Sequence, residues 1–267
     1  MLSLIARTIR DRRSVMIIYI VAALAFLVMY ISIFPAFKDQ QAQFDQIIKT
    51  MPEGMMKAFN MGDYSLSNFE SYISTEEFSL MWPLLLIIMS ISFAGQFFAG
   101  EVDKGTIEFL LSQPISRAKL FFARYFSGLL MIFAFVTLTV FSTIPIAKMF
   151  SVSTQSSHYL SQATIGFLFA WAIYSIAIFL SSLFSEKGKV YFISAGVLVL
   201  MYVLNIAAGL KNSLEKLQYL SFFHYYNPSD ALIRNHIDKT AVLVFLGVIL
   251  TFSVLGYMIF NRRDIAT

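Results

Sequence analysis

Cysteine is absent from the 267 residues, so disulfides and thiolate metal sites are excluded. Charge is scarce, with Asp, Glu, Lys and Arg together making 13% of the chain. Signatures of bond chemistry are missing as well. Gly188-Lys189 offers the end of a P-loop, but Leu183 stands where its first glycine belongs. There is no H-E-x-x-H, no G-x-S-x-G and no pair of acids within an apolar run. His224 stands among aromatics with no metal-ligating partner at a usable spacing. The sequence therefore offers no catalytic centre, no metal site and no nucleotide-driven energy source of its own.

What it has is apolar mass. Hydrophobic residues make 58% of the chain, including 28 Phe and 13 Met, and the mean hydropathy is +0.70. Soluble domains sit near about 45–50% apolar, and a folded soluble core cannot hide this excess. Six runs have the length of about 20 residues that a bilayer crossing needs. They are Ser14–Phe34, Leu80–Ala99, Tyr125–Ile144, Ala163–Phe184, Val190–Leu210 and Ala241–Phe260. None contains Asp, Glu, Lys or Arg. Lipid offers backbone groups no partners, so each run is expected to be a helix. The first is too long for a signal peptide, and no A-x-A site follows it. The expectation is an all-α integral membrane protein forming one domain over 1–267.

An even number of spans puts both termini on one side. The segments on that side hold Arg7, Arg10, Arg12, Arg13, Lys104, Arg117, Lys119, Arg124, Lys187, Lys189, Arg262 and Arg263. The opposite segments are longer and hold only Lys38, Lys49, Lys57, Lys148, Lys211, Lys216, Arg234 and Lys239. Basic residues mark the cytoplasmic side, so both termini are expected there, with the chain in a plasma membrane.

The pieces between the spans carry patterns of their own. In 1–13, Leu2, Ile5 and Ile9 share one stripe while Arg7 and Arg10 lie off it. This predicts a short helix in the inner interface, its arginines meeting anionic lipid. The outer segment 38–79 repeats apolar residues at helical spacing, as in Phe44, Ile47, Ile48 and Met51, then Leu66, Phe69 and Ile73. Two or three short amphipathic helices are expected there, capping the bundle. In 219–230, aromatics suit an interfacial belt, and Asn227-Pro228-Ser229-Asp230 reads as a turn with Ser229 or Asp230 starting a helix. Gln96 and Asn205 are the amides within the spans. They are expected to face the bundle interior, for interhelical hydrogen bonds or substrate contact.

The stretch Gly100–Leu120, GEVDKGTIEFLLSQPISRAKL, breaks the apolar pattern with six charges. Ile107, Leu110 and Leu111 fall on one helical face. Gln113 precedes Pro114 and is biased away from helix, so a short helix over Thr106–Ser112 is expected to stop there. Ser116 can cap the helix that runs on into the third span. Such a unit is a candidate for docking into a soluble partner.

Glu101, Lys104, Gly105, Thr106, Glu108, Leu110, Leu111, Pro114, Ile115, Ser116 and Arg117 together resemble the permeases of the ATP-binding-cassette type-2 family. The likeness extends to the basic N-terminus and the six spans. It implies that Glu101, Lys104, Thr106, Ile107, Glu108, Leu110, Leu111, Pro114 and Arg117 form a coupling loop seated on a separate cytoplasmic ATPase. It implies a connecting helix containing Leu2, Ile5, Arg7, Ile9 and Arg10. The assembly implied is two permeases, identical or homologous, with two ATPase chains that bind ATP and Mg, in a bacterial type V exporter. No cofactor is expected on this chain, and no nucleic acid among its partners. The long 38–79 segment departs from members whose large outer loop precedes only the last span. A rival reading from the residues is a membrane scaffold or assembly factor that transports nothing.

Overall fold

The computed structural model describes residues 1–40, 68–107, 109, 112 and 115–263, with isolated positions 46, 50, 54 and 56. The described residues are mostly helical, without a strand, and six helices are long and apolar enough to cross a membrane. The first crossing is α1, Leu2–Asp39. The second is one rod made of α2 (Phe69–Ile73), a π-helical stretch Ser74–Met81 and α3 (Trp82–Phe97). A short α4, Ala99–Asp103, follows a break at Phe98. Then come α5 (Arg117–Met149), α6 (His158–Leu183) and α7 (Lys187–Leu210). A 3₁₀ stretch Asn212–Leu220, α8 (Phe222–Tyr225) and α9 (Pro228–Ile233) lead into α10, Lys239–Arg262.

Helix α6 is the axis of the bundle. It packs against α10, α3, α5, α9 and α7. Its apolar window is 61% buried, against 17% for those of α7 and α10. Small residues make this possible, because lipid gives no hydrophobic drive between helices and close approach must hold them together. Gly166, Ala170, Ala172 and Ala177 are all buried on α6. Several hydroxyls in the spans are satisfied by their own helix, as with Ser90 on the Leu86 carbonyl and Ser182 on the Ile178 carbonyl. Others join helices. Tyr125 on α5 lies 2.8 Å from Ser175 Oγ on α6 and 2.6 Å from Ser253 Oγ on α10. Trp171 Nε1 donates to the same phenol at 2.7 Å.

The sequence reading needs three corrections. The expected connecting helix over 1–13 is not a separate element, because it forms the first turns of the 38-residue α1. No Pro or Gly lies between Leu2 and Phe34 to interrupt it. The last short helix is capped by Asn227, which accepts from the N–H groups of Ser229 and Asp230, with Pro228 at the first helical position. The aromatics of 219–230 are only partly a belt. Tyr219 is exposed, whereas Phe222 and Tyr226 are buried and Tyr226 stacks on Phe169 at 4.6 Å. Of the expected outer helices, Phe69 and Ile73 are helical and buried at the head of the second crossing; Phe44, Ile47, Ile48, Met51 and Leu66 lie outside the described residues.

Candidate functional site

The candidate site lies at the end of the bundle that carries both termini. Helix α3 stops at Phe98, whose backbone leaves the helical region, and α4 starts with the Ala99 N–H donating to Ser181 Oγ at 3.0 Å. After α4 the chain reverses at Gly105. Its φ of +68° is a left-handed conformation that glycine adopts without penalty. The turn is closed by the Gly105 N–H on the Val102 carbonyl at 2.9 Å and the Thr106 N–H on the Glu101 carbonyl at 2.9 Å. Helix resumes at Ile107 and Phe109, and Ser112 lies in a turn. Ser116 caps α5 as expected, its side chain accepting from the Lys119 N–H.

Glu101 is the hub. Its carboxylate accepts from the Thr106 hydroxyl and from Arg124 Nη2, the latter at 3.2 Å. The side chains of Arg124 and Glu101 are only 13% and 18% exposed. Arg124 also sits over the Phe97 ring, 5.7 Å from its centroid. A cavity of about 220 Å³ opens beside this pair, bounded by Leu4, Arg7 and Asp11 of α1 and by Phe109. A second polar chain crosses the same end, from Arg12 Nη2 to Gln96 Oε1 at 3.3 Å and from Gln96 Nε2 to the Tyr191 hydroxyl at 3.0 Å. Gly95 lets Tyr191 approach, since a Cβ there would meet the ring at 2.3 Å. A third ties the C-terminus down: Arg117 Nη1 donates to the Arg263 carbonyl at 2.5 Å, and Arg263 Nη1 to those of Ser182 and Phe184 at 3.0 Å each.

The structure brings Glu101, Thr106 and Arg7 around one cavity, and sets Arg117 on the C-terminal clasp. Lys104 is exposed, as are Leu2 and Arg10, while Ile5 and Ile9 are half-buried. Glu108, Leu110, Leu111 and Pro114 lie outside the described residues. Ile107 was grouped with the face offered to a partner, but it is fully buried in this chain. Phe109, which the sequence reading passed over, is 67% exposed. Arg124 counts in the sequence only toward the basic bias of this side; its signal as a site residue is its place at the mouth of the third span. Gln96 makes the interhelical bonds expected of it. Asn205 is half-buried on α7, without a side-chain hydrogen bond among the described residues.

A sequence model described as ABC-2 family transporter protein matches residues 5–265. The chain belongs to that family. It is the permease subunit of an ATP-binding-cassette transporter and a multi-pass membrane protein, of a family that normally works with a cytoplasmic ATPase subunit. A search of curated proteins finds no match.

Proposed function

We propose that the chain is the permease of a bacterial exporter, pairing with a second copy or a homologous permease and with two ATPase chains. Both termini face the cytoplasm, as the basic bias of that end supports. ATP and Mg act on the partner, and this chain performs no bond chemistry. Closure of the ATPases pushes on the segment around Phe109, and the Arg124–Glu101–Thr106 cluster passes that push to α3 and α5. The substrate is amphipathic or apolar, because the six apolar runs hold no ionised side chain that would select a charged one.

One observation carries this reading. Phe109 is 67% exposed at the basic end and lines the same cavity as the largely shielded Arg124–Glu101 pair. An exposed aromatic beside such a pair is a form that interface hot spots take. The test is to reconstitute the complex with Phe109→Asp and Phe109→Leu and measure retained ATPase and transport together. Phe109→Asp is expected to insert normally, then to lose the ATPase or hydrolyse ATP without transport, while Phe109→Leu keeps most of both. Parental coupling in Phe109→Asp would reject the docking assignment.

A further inference from the structure

Glu77 has no counterpart elsewhere in the described residues. It is fully buried, and neither carboxyl oxygen has a hydrogen-bond partner among the described residues. It sits in the π-helical stretch Ser74–Met81, at the end of the bundle opposite the termini, where the Trp82 N–H closes the wide turn on the Glu77 carbonyl. Such turns gather at functional positions. This stretch packs against α1, α2, α3 and α9.

Among the described residues, the surroundings hold acids and phenols but give Glu77 no cation. Tyr30 of α1 lies within electrostatic reach of Glu77 and of Glu76 in the same stretch, and Tyr226 lies within reach of Glu77. The carboxylate of Glu70 on α2 is engaged by the Gln155 N–H at 2.6 Å. On α9, Asp230 is held by Arg234 at 2.7 Å and by Asn227 at 2.8 Å. Tyr226 donates to the Phe78 carbonyl and accepts from Gln162 Nε2, each at 2.9 Å, so its one proton is spent. Gln162 Oε1 is itself buried without a partner. An ionised carboxylate is not tolerated in such a place, whereas the acid form is.

We propose that Glu77 is a proton-binding site that latches this end of the bundle. It carries a proton while Ser74–Met81 is packed against α1 and α9. When that packing opens, the proton passes to entering water and the hydrated carboxylate holds the end open until a proton returns. The latch needs no partner chain, so it stands apart from the docking of an ATPase. Rising pH favours the open form, because only that form can hold the charge.

Ser229 of α9 reports on the packing, with its Oγ 3.4 Å from that of Ser74 and 4% exposure. No native cysteine competes, so Ser229→Cys in the full-length protein in lipid nanodiscs can be labelled with a water-soluble maleimide. Labelling is normalised to the exposed Ser153→Cys to correct for thiol ionisation. Over about pH 6 to 9, above the ordinary carboxyl range, normalised labelling is expected to rise severalfold with Glu77 present and to stay flat in Glu77→Gln. Infrared spectra of the unaltered protein at neutral pH are expected to show a protonated carboxyl that Glu77→Gln removes. Should that variant fail to fold, the spectrum of the unaltered protein still decides. Absence of a protonated carboxyl there, or equal labelling profiles with and without Glu77, overturns the proposal.

Discussion

Arg124 and Glu101 form an ion pair at 3.2 Å with both side chains largely shielded from water. They come from different helices, and the pair closes the gap between the loop after the second span and the start of the third. A shielded pair is worth little against an apolar replacement of both partners, but losing one partner leaves a charge stranded. That asymmetry gives the first prediction. Arg124→Met is expected to destabilise by roughly 3–5 kcal/mol, and Glu101→Gln by less, because glutamine is neutral. The double variant should recover part of the loss, with a coupling of about 0.5–3 kcal/mol. Denaturant unfolding of the purified protein in detergent, read as a double-mutant cycle, checks this; simple additivity would mean that the pair is not coupled in solution.

The second prediction separates Ile107 from Phe109. They stand two residues apart, with Ile107 buried and Phe109 67% exposed. Ile107→Ala removes packed atoms and should cost about 2–5 kcal/mol. Phe109→Ala removes exposed atoms and should change the stability of the isolated permease by no more than about 0.5 kcal/mol. Thermal unfolding of the two variants side by side measures this. Equal costs would mean that Phe109 packs on the chain itself.

Topology provides the third. Ser153 and Ser185 are exposed at opposite ends of α6. In intact cells, Ser153→Cys is expected to react with a membrane-impermeant thiol reagent and Ser185→Cys to react only after the cells are opened. The reverse pattern would invert the assignment made from the basic residues.

These outcomes bear on how far the sequence could be read. The six apolar runs were legible because length and absence of charge suffice for a crossing, and the Ser116 cap because it depends on neighbours in the chain. The direction in which Ile107 points was not legible. An apolar stripe on so short a helix can face a partner or its own bundle, and only the helices around it decide. The Arg124–Glu101 pair joins residues 23 apart, beyond the reach of any helical periodicity. The helix capped by Asn227 starts at Pro228, one or two residues before the expected Ser229 or Asp230, because Pro228 reads as a turn former rather than as the first helical residue. Glu77 drew no notice for a similar reason. It was assigned to a surface segment, and its burial comes from α1 and α9, which meet it only in the folded chain.

The last prediction concerns Gly105, where the chain turns from α4 toward Phe109. A Cβ added there meets nothing within 4 Å, so space does not require glycine. The backbone does, through its φ of +68°. The cost of a substitution should therefore follow left-handed propensity rather than size. Gly105→Ala is expected to cost about 1–2 kcal/mol. Gly105→Asn should cost less, since asparagine visits this region readily, and Gly105→Val more, since a branched Cβ resists it. The loss should be local, because the spans on either side keep their packing. Trypsin cleavage after the exposed Lys104 is a direct readout, and it should quicken in the order Asn, Ala, Val. Transport by the reconstituted complex should fall in the same order if this turn sets the angle at which the Phe109 segment meets the ATPase. A valine variant as protease-resistant as the parent would show that the turn is not held left-handed in the membrane.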